Sequence, residues 1–304
     1  MELVGRSFWL GFEAPLMEWL QSHLGTSICN IISQLSALGE EVILVFLLGL
    51  IYWSLNKKMG KYLGLNMCMT CVWNPMLKNV FIRRRPYFDH ENIKLMRLID
   101  PDADLYDISA QGYSFPSGHS TNAATFYGGL ARSVKKRWMT AIAVIATILV
   151  GFSRVVVGAH YPTDVMCGWL LGIFVIIFVP WLSSKIQNRN VLYLLLLAMT
   201  LPGMIYCRSS DYYSGLGLLI GFMAGSLFEE KFVKFENTKK VMFACIRVIL
   251  GLALFVGLNA VLKLPFSVEF LESGTYASLM VRCCRYAIVA FVDFGVYPML
   301  FKWI

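Results

Sequence analysis

Long apolar runs separated by short polar stretches are the main pattern of this chain. Runs such as 42–53, 141–151 and 172–182 lie inside stretches close to the roughly 20 residues that a helix needs to cross a bilayer. The pattern predicts nine membrane-spanning helices. They cover 34–55, 59–82, 118–134, 137–157, 161–182, 191–207, 212–228, 241–263 and 281–303.

The first 30 residues do not continue this pattern. Charged side chains at Arg6, Glu13 and Glu18 interrupt the apolar core that a cleavable signal peptide requires. Bulky apolar residues recur near helical spacing, which predicts an interfacial amphipathic segment over 1–30, interrupted near Pro15. The predicted division of the chain is this segment 1–30, a core 31–190 that carries the polar motifs, and additional C-terminal membrane helices 191–304.

Two further features of the pattern are informative. The connection 83–117 is long and polar, whereas the other connections are mostly short, and a long loop in a compact protein is usually functional. Gly217, Gly221 and Gly225 recur at intervals of four in one predicted helix. Such a stripe of small residues predicts close packing against another helix.

Composition supports the membrane interpretation. The chain is 57% hydrophobic and only 15% charged, whereas a soluble domain carries about a quarter charged residues. The fold class predicted is therefore all-α, a polytopic membrane bundle. The net charge of +8 does not indicate a nucleic-acid partner, because the basic residues lie in short loops between apolar runs. Of the eight cysteines, Cys68 and Cys71 form a CxxC, but it lies inside an apolar run and no second CxxC or histidine pair stands at zinc spacing, so no metal is predicted.

Three short polar strings stand out against this background. Counting the predicted spans places all of them at the same membrane face. They are Lys78, Arg85 and Pro86 in the pattern K-x6-R-P, Pro116-Ser117-Gly118-His119, and Ser153, Arg154, His160 and Asp164 in the pattern S-R-x5-H-x3-D.

The third string predicts a nucleophile with its orienting group. His160 and Asp164 are four residues apart at a helix start, so they share a face. The carboxylate can accept one ring N–H and leave the other nitrogen free to attack. His119, at the start of another helix, could protonate a departing alkoxide. The residues alone do not decide which histidine is the nucleophile.

The remaining motif residues are suited to an anion. Ser117 is a good N-cap, and the free N–H groups of a helix start that includes Gly118 bind anions. Lys78, Arg85 and Arg154 are costly charges near a membrane unless an anion pairs with them, and arginine binds phosphate through two parallel hydrogen bonds. Read alone, the run 83–85 also fits a basic cluster at the membrane border.

Together the strings resemble the signature of the type 2 phosphatidic acid phosphatase superfamily, a family of lipid phosphate phosphatases, and every signature position is matched. The resemblance covers about residues 30–182 and implies a six-helix phosphatase core. It implies that His160 attacks phosphorus to form a phosphohistidine, that Asp164 orients it, and that His119 protonates the leaving group and then activates water. The phosphoryl oxygens would be held by Lys78, Arg85, Ser117, Gly118 and Arg154. No metal or other cofactor is implied.

The resemblance leaves the substrate open. It implies hydrolysis of a lipid phosphate or diphosphate, with the bilayer and that lipid as partners. The alternatives are a lipid phosphotransferase with an alcohol acceptor, glucose-6-phosphatase-like hydrolysis of a soluble ester, and a lipid-binding or transport protein without turnover. Because the loops opposite the motifs carry most of the lysines and arginines, the active face is predicted to be extracytoplasmic and the C-terminus cytoplasmic.

Overall fold

The computed structural model of the protein describes residues 5–97 and 104–303, and this part of the chain is helical. Its β-structure is limited to one isolated parallel bridge between Arg6 and Arg83. The predicted all-α class is therefore confirmed. Outside the described residues lie 1–4, 304 and the stretch 98–103 of the predicted 83–117 loop.

Within the described residues, ten helices of ten or more residues form the framework. They are α1 (Glu13–Gln34), α2 (Glu41–Leu50), α3 (Lys57–Phe81), α4 (Gly118–Val134), α5 (Arg137–Val156), α6 (Pro162–Lys185), α7 (Arg189–Ala198), α8 (Ser210–Phe228), α9 (Val241–Val261) and α10 (Tyr276–Phe291). Shorter helical pieces are Leu35–Gly39, Ile51–Leu55, Pro86–Asp89, Ile108–Gln111, Gly203–Tyr206, Glu229–Val233, Val268–Glu272, Val292–Val296 and Tyr297–Lys302.

Each of the nine predicted spans overlaps one of these helices, but the number nine is not confirmed. Within the described residues, four helical stretches are long and apolar enough to cross a membrane: α5, α6, Arg189–Tyr206 and α9. A fifth is added if Glu13–Gly39 and Glu41–Leu55, bent by 41°, form one span. The other helices are shorter or less apolar; α4, for example, has 17 residues and buries Ser120, Thr121 and Asn122.

Helix α1 breaks at a different place from the one predicted. Pro15 lies in its first turn, where a missing N–H and a fixed φ are tolerated. The break is at Gly25, whose φ of 69° lies in the left-handed region that only glycine adopts readily. The predicted interruption near Pro15 is therefore wrong.

The chain forms two compact units. The first comprises Met1–Ile43 and Met76–Ile176, and the second comprises Leu44–Pro75 and Ile177–Ile304. All three polar strings belong to the first unit, in which α4, α1 and the turn Leu35–Gly39 pack against α5. The predicted division at 30 and 190 stays a prediction.

In the second unit, α8 packs closely along α10. A Cβ atom added to Gly217 would lie 2.2 Å from the carbonyl oxygen of Cys283, and one added to Gly221 would lie 2.2 Å from that of Ala287. No side chain fits at such distances, so the prediction that the glycine stripe permits close helix packing is confirmed.

Candidate active site

The predicted site residues lie at the ends of five helices, and all of these residues belong to the first unit. They are Lys78 in the last turn of α3, Arg85 before the short helix Pro86–Asp89, Ser117, Gly118 and His119 at the start of α4, Arg154 in the last turn of α5, His160 just before α6, and Asp164 in its first turn. The structure thus gathers side chains that are up to 86 positions apart in the numbering.

His160 is almost completely buried, and its two ring nitrogens have different surroundings. Nε2 lies 3.3 Å from Nη1 of Arg85. Nδ1 lies 3.5 Å from Oγ of Ser114 and 3.6 Å from Oδ2 of Asp164, and the second distance is longer than a hydrogen bond. The Ser114 hydroxyl donates to the same Oδ2 atom of Asp164, so it lies beside both the imidazole and the carboxylate that were predicted to interact.

Asp164 is fully buried and held by donors on both oxygens. Oδ2 accepts the Tyr161 N–H at 2.8 Å, as well as the Ser114 hydroxyl. Tyr161 directly precedes α6, so the carboxylate caps an unsatisfied N–H group at the helix start, where a negative charge is also favourable. Oδ1 accepts from Nη1 of Arg83 at 2.7 Å. These bonds fix the carboxylate beside the His160 ring.

The start of α4 is joined directly to α6. Oγ of Ser117 accepts the Ser120 N–H at 3.4 Å as the N-cap, and the Ser117 N–H donates to the carbonyl oxygen of Asp164 at 3.0 Å. A Cβ atom on Gly168 would lie 2.7 Å from the carbonyl oxygen of Ser117, so α6 approaches this turn closely. The unpaired N–H groups expected at such a helix start form an anion site.

Arg154 is buried without a carboxylate partner. Only 3% of it is exposed, and its Nη1 donates to Oγ of Ser36 at 3.2 Å. Among the described residues, its Nε has no hydrogen-bond partner, and no carboxylate lies within ion-pair distance. The charges of Arg154 and Lys78 act on the neighbouring His119. A buried guanidinium in this state favours an anionic ligand.

The same cations act on His160. Burial and then the positive charges of Arg85, Arg154 and Lys78 lower the pKa of its imidazole well below the usual value of about 6.5. At neutral pH the ring is therefore neutral and one nitrogen keeps its lone pair. With the proton on Nδ1, toward the carboxylate, the free lone pair is on Nε2, which faces Arg85.

The structure adds four site residues that the sequence did not single out. Ser36 bonds Arg154, Ser114 accompanies His160, and Arg83 binds Asp164. Glu13 joins the site through Arg83 at 2.9 Å. The sequence contained one signal, since a charged residue in the apolar pattern is costly unless it is paired. For Glu13, the sequence alone indicates only an interruption of an apolar run.

Comparisons with known proteins agree with this geometry. A family model described as "PAP2 superfamily" matches residues 59–188, and one described as "PAP2 superfamily phosphatase, transmembrane extension" matches residues 213–304. The first match contains all three strings, and the two matches together cover most of the chain.

Similar curated proteins are also phosphatases by name. An undecaprenyl-diphosphatase of Sulfolobus acidocaldarius is 27% identical over 62% of this chain and 85% of its own length. A phosphatidylglycerophosphatase B of Bacillus subtilis is 37% identical over 27% of this chain and 44% of its own length. A lipid A 1-phosphatase of Rhizobium etli is 34% identical over 37% and 45%, respectively. The chain thus spans less than half the length of the last two relatives.

Among solved structures, a transmembrane PAP2-type phosphatidylglycerolphosphate phosphatase from Bacillus subtilis is similar, with a TM-score of 0.42 and 24% identity over 57% of this chain and 86% of that one. The matched families and the apolar helices identify an integral membrane protein and a phosphatase. The chain belongs to the PAP2 superfamily.

Proposed function

We propose that this phosphatase hydrolyses a lipid phosphate or diphosphate through a phosphohistidine and without a metal ion. The observation that carries the proposal is the orientation of His160. Its Nε2 faces Arg85 at 3.3 Å, while its Nδ1 faces Ser114 and Asp164. An imidazole held between a carboxylate and a cation directs its lone pair to the place where a phosphoryl group would be bound.

The reaction then proceeds in two displacements. The lone pair of His160 Nε2 forms an N–P bond while the bond from phosphorus to the leaving oxygen breaks, and His119 gives that oxygen its proton. Water then attacks phosphorus, His119 takes a proton from the water, and the N–P bond breaks to release phosphate. The first transfer leaves His119 without its proton, and the second restores it, so the two displacements together return the enzyme to its starting protonation state.

Fixed positive charge stabilises the transition state of both displacements. Lys78, Arg85 and Arg154, with the start of α4 at Ser117 and Gly118, supply donors for the three equatorial oxygens. Among the described residues, no group of three or more histidine, cysteine or carboxylate side chains is placed to hold a metal ion. In this proposal, protein cations therefore balance the charge that a metal would otherwise balance.

The lipid assignment is supported by an apolar groove of about 330 Å³ in the first unit. Two of the lining residues connect the groove to the motifs. Leu77 is adjacent to Lys78 in the sequence, and Pro116 belongs to the second string, directly before Ser117. The rest of the lining is Phe81, Phe115, Cys167, Leu170, Leu171 and Phe174. We infer that a hydrocarbon chain lies in this groove while its phosphate binds at His160. The names of the three relatives agree with a lipid substrate.

We also propose that the site faces the extracytoplasmic side and that the C-terminus is cytoplasmic. The loops expected at the opposite face carry most of the lysines and arginines, which remain in the cytoplasm in most membrane proteins. Single cysteines placed at Glu91 and Lys135 in a cysteine-free background test this. In intact cells an impermeant maleimide should label position 91 and not position 135, and the reverse labelling would contradict the proposal.

A phosphate-release assay in detergent tests the substrate class. Phosphatidate, a polyprenyl diphosphate and glucose 6-phosphate are compared, each with and without EDTA and with a labelled alcohol acceptor. We expect release from a lipid substrate, no effect of EDTA, and no label in the alcohol. Preference for glucose 6-phosphate, loss of activity with EDTA, or transfer to the alcohol would each contradict the proposal.

The groove has its own test. Replacing Leu171, which is half-buried in α6, with Trp should fill part of the groove. KM should then rise for a long-chain lipid phosphate and stay unchanged for a short-chain ester. An equal rise for both substrates would indicate that the groove does not hold the chain.

A further inference from the structure

Buried charges continue from Asp164 on the side away from His160. Arg83, which is almost fully buried, donates from Nη1 to Oδ1 of Asp164 at 2.7 Å and from Nη2 to Oε2 of Glu13 at 2.9 Å. Glu13 is also fully buried, and its Oε1 accepts from the N–H and the hydroxyl of Thr163 at 2.9 and 2.6 Å. The two carboxylates therefore share one guanidinium.

Residues 5–13, called the N-terminal strap below, hold this cluster in place. The Arg6 N–H donates to the carbonyl oxygen of Ile82 at 2.7 Å, and the Arg84 N–H donates to that of Arg6 at 2.9 Å. Nε of Arg83 donates to the carbonyl oxygen of Phe8 at 2.7 Å, and the guanidinium carbon lies 4.8 Å from the centre of the Phe8 ring. The strap thus covers the side of Arg83 that Asp164 leaves free.

We propose that Arg83 and Glu13 are positioning residues for catalysis, which hold Asp164 ionised and aimed at His160. This inference rests on the function proposed above. Arg83 donates only to Oδ1 of Asp164, so Oδ2 stays directed toward the His160 ring and the Ser114 hydroxyl. Neither residue contacts the Nε2 side of His160, where the phosphoryl group would bind, so both act through the carboxylate.

The charges of the cluster match the reaction. Glu13, Arg83 and Asp164 together carry one excess negative charge while the His160 ring is neutral. Formation of the N–P bond makes the ring cationic, and the cluster then becomes neutral as a whole. An excess charge fixed in advance stabilises the charge that develops in the transition state. Removing Arg83 would leave two buried carboxylates without their cation, and one would bind a proton.

Substitutions at Arg83 test the proposal through kcat and KM. R83Q should lower kcat by about 10- to 100-fold, the usual cost of losing a group that orients an active-site ligand, with little change in KM. R83K keeps the charge but not the forked geometry, and it should recover part of the loss. E13Q should lower kcat by less than R83Q, because Arg83 remains bound to Asp164.

A double-mutant cycle with D164N separates positioning from a purely structural role. If Arg83 acts through the Asp164 carboxylate, R83Q should cost far less in the D164N background than in the wild type. Equal losses in both backgrounds would overturn the inference. So would a rise in KM at unchanged kcat. If R83Q does not fold, R83K and E13Q decide, and wild-type kcat in both of these folded variants overturns it.

Arg84 supplies a matched control beside Arg83. It is partly exposed and pairs with Asp89 at 2.6 Å rather than with Asp164. R84Q should keep the wild-type kcat, and a loss as large as that of R83Q would contradict the assignment. The inference and the proposed function fail separately. Activity retained in H160A disproves the proposed function, whereas an H160A-sensitive enzyme with unaffected R83Q and E13Q disproves only the inference.

Discussion

Two buried charged side chains, Glu229 in the second unit and Arg154 in the first, differ in how their charge is balanced. In the second unit, the fully buried carboxylate of Glu229 is bound by Lys57 at 2.9 Å and by Lys61 at 2.6 Å. It also accepts the Phe235 N–H at 3.2 Å. Both oxygens are satisfied by the protein itself, so this cluster has no need of a ligand.

In the first unit, Arg154 has no carboxylate among the described residues, and one of its nitrogens has no partner. Asp164 and Glu13 are already engaged by Arg83 and cannot serve it. A closed cluster favours stability, whereas an open one favours binding of an anion at a cost in stability. The comparison distinguishes a buried charge that the protein balances itself, at Glu229, from one that favours an anionic ligand, at Arg154.

The largest expected effect is at the nucleophile. H160A should reduce phosphate release by roughly 10⁴-fold or more, as removal of a nucleophile or its partner base does in other hydrolases. Initial rates in detergent check this at matched protein levels. The control is H23A, since His23 is exposed on α1 and, within the described part of the chain, its side chain hydrogen-bonds only to its own turn. Turnover retained in H160A, or lost in H23A, would contradict the assignment.

The second largest expected effect compares substitutions of Arg154 and Glu229, the two buried charges described above. R154M should lower kcat/KM by about 10²- to 10³-fold, because a donor to the phosphoryl oxygens is lost. Its thermal midpoint should stay level or rise, because a buried unpaired charge has been removed. E229Q should have the opposite effect, with kcat/KM unchanged and a lower free energy of unfolding. We expect a loss of about 2 kcal/mol, because the two lysines that lose their partner are partly exposed and can be hydrated.

Activity assays and thermal melts on the same preparations measure both halves of this contrast. If R154M lowers the midpoint as much as E229Q does, Arg154 belongs with the structural charges. If E229Q lowers kcat/KM, the second cluster is not confined to stability.

The pH dependence is the third test. The lowered pKa of His160 keeps the imidazole neutral, so kcat/KM should not fall as pH drops through about 6.5 and should decline only at lower pH. Burial and the charge of Arg154 also lower the pKa of His119, so protonation of this donor can only raise kcat/KM over the same range. In R154M one of the cations that lowers this pKa is missing, so the decline should begin at higher pH. The profile requires a substrate whose own phosphate ionisation has been titrated separately. A wild-type decline centred at or above 6.5 would contradict this prediction.

The smallest expected effect concerns packing. G168A places a Cβ atom 2.7 Å from the carbonyl oxygen of Ser117 and should lower the unfolding free energy by about 1–3 kcal/mol, with a fall in activity. Apart from its chain neighbours and its own helix backbone, a Cβ atom added to Gly257 in α9 would meet no atom of the described residues within 4 Å, so G257A should be neutral or stabilising by up to about 1 kcal/mol. Equal melting temperatures for the two variants would contradict this prediction, because they would show that the α4–α6 contact shifts to accommodate the added methyl group.

The sequence predicted the parts of this protein that depend on local spacing. The three strings marked eight site residues because each string occupies a helix end, and helix counting placed those ends together. It could not find Ser36, Ser114 or Glu13, because each is a single residue whose partner is distant in the chain. The Glu13–Thr163 contact, for example, spans 150 positions. The number of membrane spans could not be predicted from the sequence either. Helices such as α4 bury polar side chains against the protein, so hydropathy does not show whether they cross the membrane.

The N-terminal strap also has a consequence for biogenesis. Its residues are synthesised before their partners, because Arg83 lies 70 positions after Glu13 and Thr163 lies 150 positions after Glu13. During insertion into the membrane, Glu13 therefore remains without its native partners until most of the first unit has been translated. The final docking of the strap completes the carboxylate cluster only once α6 has begun to emerge. A chain arrested before this point would contain α1 to α5 but no organised catalytic centre.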